Sequence, residues 1–288
     1  MNTAIMQEFE EFIVASVPQV ESFHPSYQKA LWEMVLAGGK RFRPALCLCV
    51  VDSLAPQMRK NAFLPALALE SMHTYSLIHD DLPCMDNSPL RRGYPTLHIT
   101  YDETLALLVG DALNTYAFEL LSTARLDLQV KVELIYELAR NAGFSGMVLG
   151  QVLDCAYENT KLNLEQLKII HQNKTLKLIA TSLRFGAIIA NAPQEVRECL
   201  DSFGAVLGLF FQVRDDLLDV LGDSAIEGKT LHNDEGKNTY VNLLGVDGAR
   251  AQCEELIESM RGSLASLPPT LARNLLALIE PYFVIKGE

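Results

Sequence analysis

Two stretches of the chain carry carboxylates at spacings suited to a cation. The first, His79-Asp80-Asp81-Leu82-Pro83-Cys84-Met85-Asp86, closes a strongly helical run that begins near Pro65. Adjacent aspartates at the end of an apolar helix repel one another and are costly to bury unpaired. They are either a solvated helix end leading into an Asx turn or the ligands of a cation. On a straight helix at ~100° per residue, Asp86 falls ~120° from the face of Asp80. Pro83 removes a helix hydrogen bond and bends or ends the helix, which would let both carboxylates reach one ion. The second stretch is Phe211-Gln212-Val213-Arg214-Asp215-Asp216-Leu217-Leu218-Asp219. Asp215 and Asp219 are i,i+4 neighbours and Gln212 precedes Asp215 by one turn, so the three share a face. Arg214 projects elsewhere and is a poor neutraliser. One such cluster could be a surface accident. Two of them, 135 residues apart and each closing an aliphatic helix, suggest the facing walls of one cleft.

All-oxygen ligands suit a hard ion, and Mg²⁺ usually binds through a few carboxylates plus substrate phosphates and water. Zinc would call for more His or Cys at ligand spacing. His79-Asp80 also spells the dipeptide of a metal phosphohydrolase, a reading that this motif alone leaves open.

Basic residues are few but grouped: Gly38-Gly39-Lys40-Arg41-Phe42-Arg43-Pro44, Arg91-Arg92-Gly93, Lys174-Thr175, Lys229 and Lys237. Gly38-Gly39 lets backbone approach an anion closely, and Lys40 and Arg43 supply charge-assisted hydrogen bonds. Alone, that segment reads equally well as a charged helix start before Pro44. With Arg91-Arg92 five residues beyond Asp86, it describes a site for a polyanion, most naturally a diphosphate.

The elements that must position these groups are helical. Phe9, Phe12, Ile13 and Ser16 form one stripe of helical period, and Leu164, Leu167, Ile170 and Leu178 belong to another. Further helices are expected at roughly 26–37, 43–54, 61–82, 102–124, 130–157, 193–221, 248–265 and 269–284. No convincing alternating strand, repeat or interdomain linker appears. The expectation is one all-α domain over residues 1–288, a bundle or barrel of about ten helices. Residues 222–248, with five glycines, read as a long polar loop of the kind that often forms a lid.

A formal charge of −12 argues against nucleic acid as a partner, because duplex binding needs Lys and Arg to neutralise phosphates. It does not exclude phosphorylated substrates, since aspartates that recruit Mg²⁺ and a few concentrated cations suffice. The acidic N-terminal stretch has no cationic signal-peptide region. The longest uncharged apolar run, Phe203 to Val213, is shorter than the ~20 residues of a membrane span. Six cysteines form no CxxC pair and are expected to be reduced thiols. A cytoplasmic protein without a membrane span is expected.

The ordered set GGKRFRP (from Gly38), HTYSLIHDDLPCMD (His73 to Asp86), RRG (from Arg91), GDAL (from Gly110), GQVLD (Gly150 to Asp154), KT (Lys174-Thr175), FQVRDDLLDV (from Phe211) and GKNTY (from Gly236) resembles the short-chain trans-prenyltransferases, in particular the bacterial farnesyl diphosphate synthase branch. The resemblance implies an all-α barrel around a deep apolar cavity, usually in a homodimer, with Mg²⁺ as cofactor. It implies condensation of isopentenyl diphosphate with dimethylallyl and geranyl diphosphate. By resemblance, Asp80, Asp86 and Asp215 hold the metal, with Asp81, Asp216 and Asp219 as ligands or supporting acceptors. Arg91, Lys174, Gln212 and Lys229 grip the allylic diphosphate, and Thr175 lies near the developing cation. Gly39, Lys40, Arg43, His73 and Arg92 belong to the isopentenyl diphosphate site.

Tyr75 lies five residues before Asp80, ~7.5 Å deeper along the helix. There its ring could stop a growing tail, or be ordinary core. In the family, an aromatic at this place, with two extra residues in the first motif (Pro83 and Cys84), goes with a C15 product. C10 or C20 synthesis and a class I terpene cyclase are the alternatives, the last of which would not need GGKRFRP. A phosphohydrolase would not need the second aspartate motif, and a non-catalytic partner subunit would not need both motifs intact. The chain departs from the family at Asn87-Ser88-Pro89, where further aspartates are common. It also has a shortened Lys229–Lys237 segment, and its C-terminus has Lys286 in place of the usual arginine.

Overall fold

The computed structural model describes residues 3–221 and 238–284, and these are overwhelmingly helical. Helix α1 (Thr3–Ala15) lays Ile5, Phe9 and Ile13 into the core. Helices α2 (Tyr27–Leu36) and α3 (Phe42–Leu54) follow, and a 3₁₀ segment (Pro56–Ala62) leads into α4 (Phe63–Asp80). After a two-stranded hairpin come α5 (Leu97–Thr100) and α6 (Glu103–Thr123), with α6 packed along α4. Then follow α7 (Leu128–Ala142), α8 (Met147–Ala156), α9 (Leu164–His171), α10 (Lys177–Ile189) and α11 (Gln194–Leu221). Beyond the undescribed stretch lie α12 (Tyr240–Leu264) and α13 (Pro269–Ile279).

Two apolar clusters make up the core, and α3 and α10 serve both. On α3, Cys47, Leu48 and Val51 face one cluster while Leu46, Cys49 and Val50 face the other. A helix apolar all round must be buried all round, and this one is. Gly186 permits the close approach of α10 to α3, because a Cβ there would lie 2.6 Å from Val50 Cβ and 2.7 Å from the Cys47 carbonyl oxygen.

Three expectations are corrected. The helix expected over 130–157 is two, broken at Gly143 and Gly146. The long loop ends by Thr239, whose hydroxyl accepts from the Asn242 amide to cap α12, so residues 240–248 are helical apart from a kink at Gly245. A short hairpin, β1 (Leu90–Arg91) and β2 (Tyr94–Pro95), stands where no strand was expected. Helix α6 has the length and composition of a membrane span, yet it buries Leu105, Val109, Leu113 and Leu120 in the fold.

Candidate active site

Helix α4 supplies one wall. Its last residue is Asp80, and the chain then folds back through Pro83 so that the Asp86 amide donates to the Asp80 carbonyl at 2.9 Å. Asn87, at φ +47°, completes the reversal by donating its amide to Leu82 O. The turn, rather than a kinked continuation of the helix, brings Asp80 and Asp86 to one place. Burial pushes the Asp80 carboxyl up to about 6; Lys174 opposes the shift and Asp86 adds to it. Asp81 is 2% exposed and accepts from Arg91 Nε at 3.0 Å and Nη2 at 2.5 Å.

The hairpin sets both arginines. Arg92 (φ +56°) and Gly93 (φ +80°) form its two-residue turn, a backbone pair that closes hairpins with the strands' own twist. Arg92 donates through Nη1 to Met34 O at 3.2 Å and to Gly38 O, and through Nη2 to Glu70 at 3.5 Å. Gly39 leaves room for this guanidinium, since a Cβ there would sit 2.8 Å from Arg92 Cζ.

Lys174 and Thr175 sit in a single π-helical turn, Gln172–Leu176, between α9 and α10. Such turns are rare and gather at functional sites. A capping box from Asn163 and Gln166 starts α9. Gly150 of α8 and Gly208 of α11 leave space for the turn, because Cβ atoms there would come within 2.2 Å of Lys174 N and 2.9 Å of Leu176 Cα. Lys174 Nζ is 2.5 Å from Asp154 Oδ2. Burial alone would lower the Lys174 pKa, but Asp154, Asp80 and Asp86 raise it above its ordinary value.

Helix α11 supplies the facing wall. Thr175 donates to Gln212 Oε1 at 3.2 Å, Gln212 Nε2 donates to Asp216 Oδ1 at 2.9 Å, and the Tyr240 amide donates to Asp216 Oδ2 at 2.7 Å. Gln212 therefore engages Asp216, not the Asp215–Asp219 face expected from spacing. Asp216 and Asp219 are buried while Asp215 is exposed. Arg214 donates to Tyr282 O at 2.9 Å and stacks on that ring, while its Nη1 remains 3.9 Å from Asp215 Oδ1, so it is not wholly turned away.

Between these walls lies a cavity of about 570 Å³ lined by Gly39, Lys40, Arg43, His73, Arg91, Arg92, Thr175 and Asp215. Leu77, Ile179 and Phe211 form its apolar side, and Arg41, Glu70 and Tyr282 also line it. Arg43 Nε is buried without a hydrogen-bond partner, a donor that an anion would satisfy. Burial lowers Arg43 to about 10, with Glu70 opposing and Arg92 reinforcing, so the guanidinium stays charged. Burial and then Arg43, Arg92, Arg91 and Arg41 hold His73 well below the ordinary imidazole range. His73 is thus neutral at pH 7. Tyr75 is not on this cavity; it is 7% exposed, edge-on to His79 at 5.4 Å. Lys229 and Lys237 fall outside the described residues.

Among the described residues, no three acidic, His or Cys groups converge on one point. The carboxylates stand instead on two separate helix ends, with Asp80 crowded electrostatically by Asp86. That arrangement fits Mg²⁺, which takes one or two carboxylates from a wall and completes its shell with phosphate and water.

Glu70, Arg41 and Asp154 were not singled out from sequence. The available signal was a charge in the middle of an apolar helix: Glu70 within FLPALALESM and Asp154 within MVLGQVLDCA. Such charges must be paired when buried.

An all-α fold with aspartates on two helix ends and a cationic cavity between them defines an isoprenoid-synthase-type enzyme. Residues 24–267 match the polyprenyl synthetase family, and the chain belongs to it. It is 39% identical over 269 residues to a farnesyl diphosphate synthase of Haemophilus influenzae, covering 92% of this chain and 91% of that one. It is 44% identical over 243 residues to the Geobacillus stearothermophilus farnesyl diphosphate synthase, covering 82% and 81%. The crystal structure of a Helicobacter pylori geranyltransferase complexed with magnesium and isoprenyl diphosphate superposes with TM-score 0.94 at 49% identity, covering 99% of this chain and 96% of that one.

Proposed function

We propose that this protein is a magnesium-dependent prenyltransferase. It condenses isopentenyl diphosphate head to tail with dimethylallyl and then geranyl diphosphate, giving farnesyl diphosphate and diphosphate. The observation that carries this reading is a cationic cavity walled by Lys40, Arg43 and Arg92 and flanked by carboxylates suited to a metal, Asp215 on its lining and Asp80 beside Asp86 at the end of α4. Two diphosphates bound side by side need both.

Asp80, Asp86 and Asp215 would hold Mg²⁺. Bound there, it supplies Lewis-acid polarisation of the leaving diphosphate. Arg91 and Lys174 bind the allylic diphosphate, each held in place by a carboxylate, Asp81 and Asp154 respectively. Lys40, Arg43, Arg92 and neutral His73 bind isopentenyl diphosphate. As the allylic carbon–oxygen bond breaks, the dipoles of Thr175 and Gln212 stabilise the cation. The alkene of isopentenyl diphosphate then attacks, and a proton leaves to the departing diphosphate. Tyr75 ends the space for the tail.

Apolar side chains lie exposed on the successive, mutually packed helices α6 (Leu107, Leu108), α7 (Leu128, Val132, Tyr136) and α8 (Val148, Val152). Such a surface supports a homodimer. Six free cysteines fit a reducing cytoplasm.

The test incubates purified protein and Mg²⁺ with radiolabelled isopentenyl diphosphate and geranyl diphosphate, then sizes the dephosphorylated product. A C15 alcohol is expected. A hydrocarbon from a prenyl diphosphate alone would indicate a cyclase, and phosphate release without chain growth a phosphohydrolase; either overturns the reading.

A further inference from the structure

A buried carboxylate in the wall of the cationic cavity has no role in the chemistry just described. Glu70, on α4 one turn before His73, is 1% exposed. Its Oε1 accepts from Arg41 Nη1 at 2.8 Å and lies 3.5 Å from Arg92 Nη2. Arg43 feels its charge as well. A lone carboxylate in such a place is costly unless it is paired and hydrogen-bonded, and here it meets arginines from two separate segments.

Arg41 is the less obvious partner. It is 4% exposed and, although it borders the cavity, its guanidinium is consumed inside the protein: Nε by Glu10 at 2.9 Å, Nη1 by Glu70, and Nη2 by Val35 O at 2.6 Å. Its backbone is left-handed, φ +44°, two residues after Gly39 in a segment where Gly38 and Gly39 stand at φ +83° and +122°. A non-glycine residue in that region persists only where its surroundings hold it. The buried ion pairs are what hold it. They thereby fix the path of the Gly38–Arg41 loop, which presents Gly39 and Lys40 to the cavity, and the start of α3, which presents Arg43. On the other side, the Arg92 fork is clamped between Glu70 and the carbonyls of Met34 and Gly38.

We infer that Glu70 is the positioning residue of the isopentenyl diphosphate site: one buried carboxylate sets, through Arg41, the loop carrying Lys40 and, directly, the guanidinium of Arg92. This rests on the assignment of that pocket to isopentenyl diphosphate. Glu70 does not touch the substrate; it acts through residues that do. The allylic half of the site has its own carboxylate partners, Asp81 and Asp154, and is independent of it.

The test is the split between the two substrates. In the wild-type enzyme, incorporation of isopentenyl diphosphate establishes the activity itself; its absence would sink the functional assignment and not this inference. Glu70→Gln is expected to raise KM for isopentenyl diphosphate about tenfold or more, the order expected on losing one charge-assisted hydrogen bond. KM for geranyl diphosphate should stay within about twofold, and inhibition by inorganic diphosphate competing with isopentenyl diphosphate should weaken in parallel. If Glu70→Gln does not fold, Glu70→Gln with Arg41→Met removes the buried pair together and is expected to show the same split. Glu10→Gln, which loosens only the outer clamp on Arg41, should shift KM for isopentenyl diphosphate less than Glu70→Gln does. Equal rises in both KM values, or a loss of thermal stability with both KM values unchanged, would overturn the positioning role.

Discussion

Each aspartate motif contributes a carboxylate that organises its surroundings. Asp81 holds Arg91, and Asp216 holds Gln212 and the first amide of α12. Asp80, which closes α4 beside Asp86, should then differ from them in what its loss does. Asp80→Asn is expected to cut kcat by about 10²–10³ with little change in stability, since a group that stabilises developing charge has gone. Asp216→Asn should cost about 1–3 kcal/mol of stability through a buried donor left poorly paired. Steady-state kinetics with saturating Mg²⁺ and urea unfolding of the same variants separate the two effects. Tyr75 carries a different prediction. Its ring is buried edge-on to His79, and the His79 ring in turn sits over Gly110. Tyr75→Ala should move the product beyond C15, read by chromatography of the dephosphorylated alcohols. An unchanged chain length would assign Tyr75 to core packing.

The π turn joining α9 and α10 illustrates what an element contributes. Lys174 and Thr175 were legible from sequence as a Lys-Thr pair in a family motif, but the widened turn that aims them was not. It depends on Gly150 and Gly208, which stand on other helices. Gly150→Ala would drive a Cβ into the backbone of Lys174, with no flexible side chain to give way. It should destabilise by about 1–3 kcal/mol and lower kcat beyond what the stability loss explains, measured by thermal unfolding beside kinetics. The hairpin bearing Arg91 and Arg92 was equally hidden. Two-residue strands leave no alternating pattern to read, and the turn residues, Arg92-Gly93, are not among the usual hairpin pairs.

For the whole molecule, pH dependence follows from buried histidines. Burial holds His171 down at about 4, with Lys174 adding to the shift and Asp154 opposing it. The unfolded chain takes up a proton near pH 6.5, where the native protein does not. The stability contribution is therefore whole above pH 6.5 and is lost as pH falls toward 4, by about 2 kcal/mol between pH 7 and 5. Asp80, raised to about 6, has the opposite sign, favouring the native state as pH falls. The His171 part is accordingly read as the difference in urea-unfolding slope against pH between wild type and His171→Asn. The exposed apolar side chains on α6, α7 and α8 carry the second prediction at this scale. Sedimentation should give a dimer, and Leu108→Glu with Val132→Glu should give a monomer.

Residue type and local spacing were enough to determine that the protein is all-α, that two aspartate motifs close apolar helices, and that cations gather at Gly38–Arg43 and Arg91–Arg92. Those are properties of i,i+3 and i,i+4 periodicity and of short motifs, which a linear chain displays. Only the tertiary structure decided which aspartates answer to protein partners, that Gln212 turns toward Asp216, and that Glu70, Arg41 and Asp154 hold the cations in place. The contacts of Glu70, Arg41 and Asp154 join residues 20 to 31 positions apart, and Asp216, four residues from Gln212, is fixed by the Tyr240 amide of another helix. The reason is physical: a buried charge must find its counter-charge in space, and nothing in the local sequence says where that partner stands.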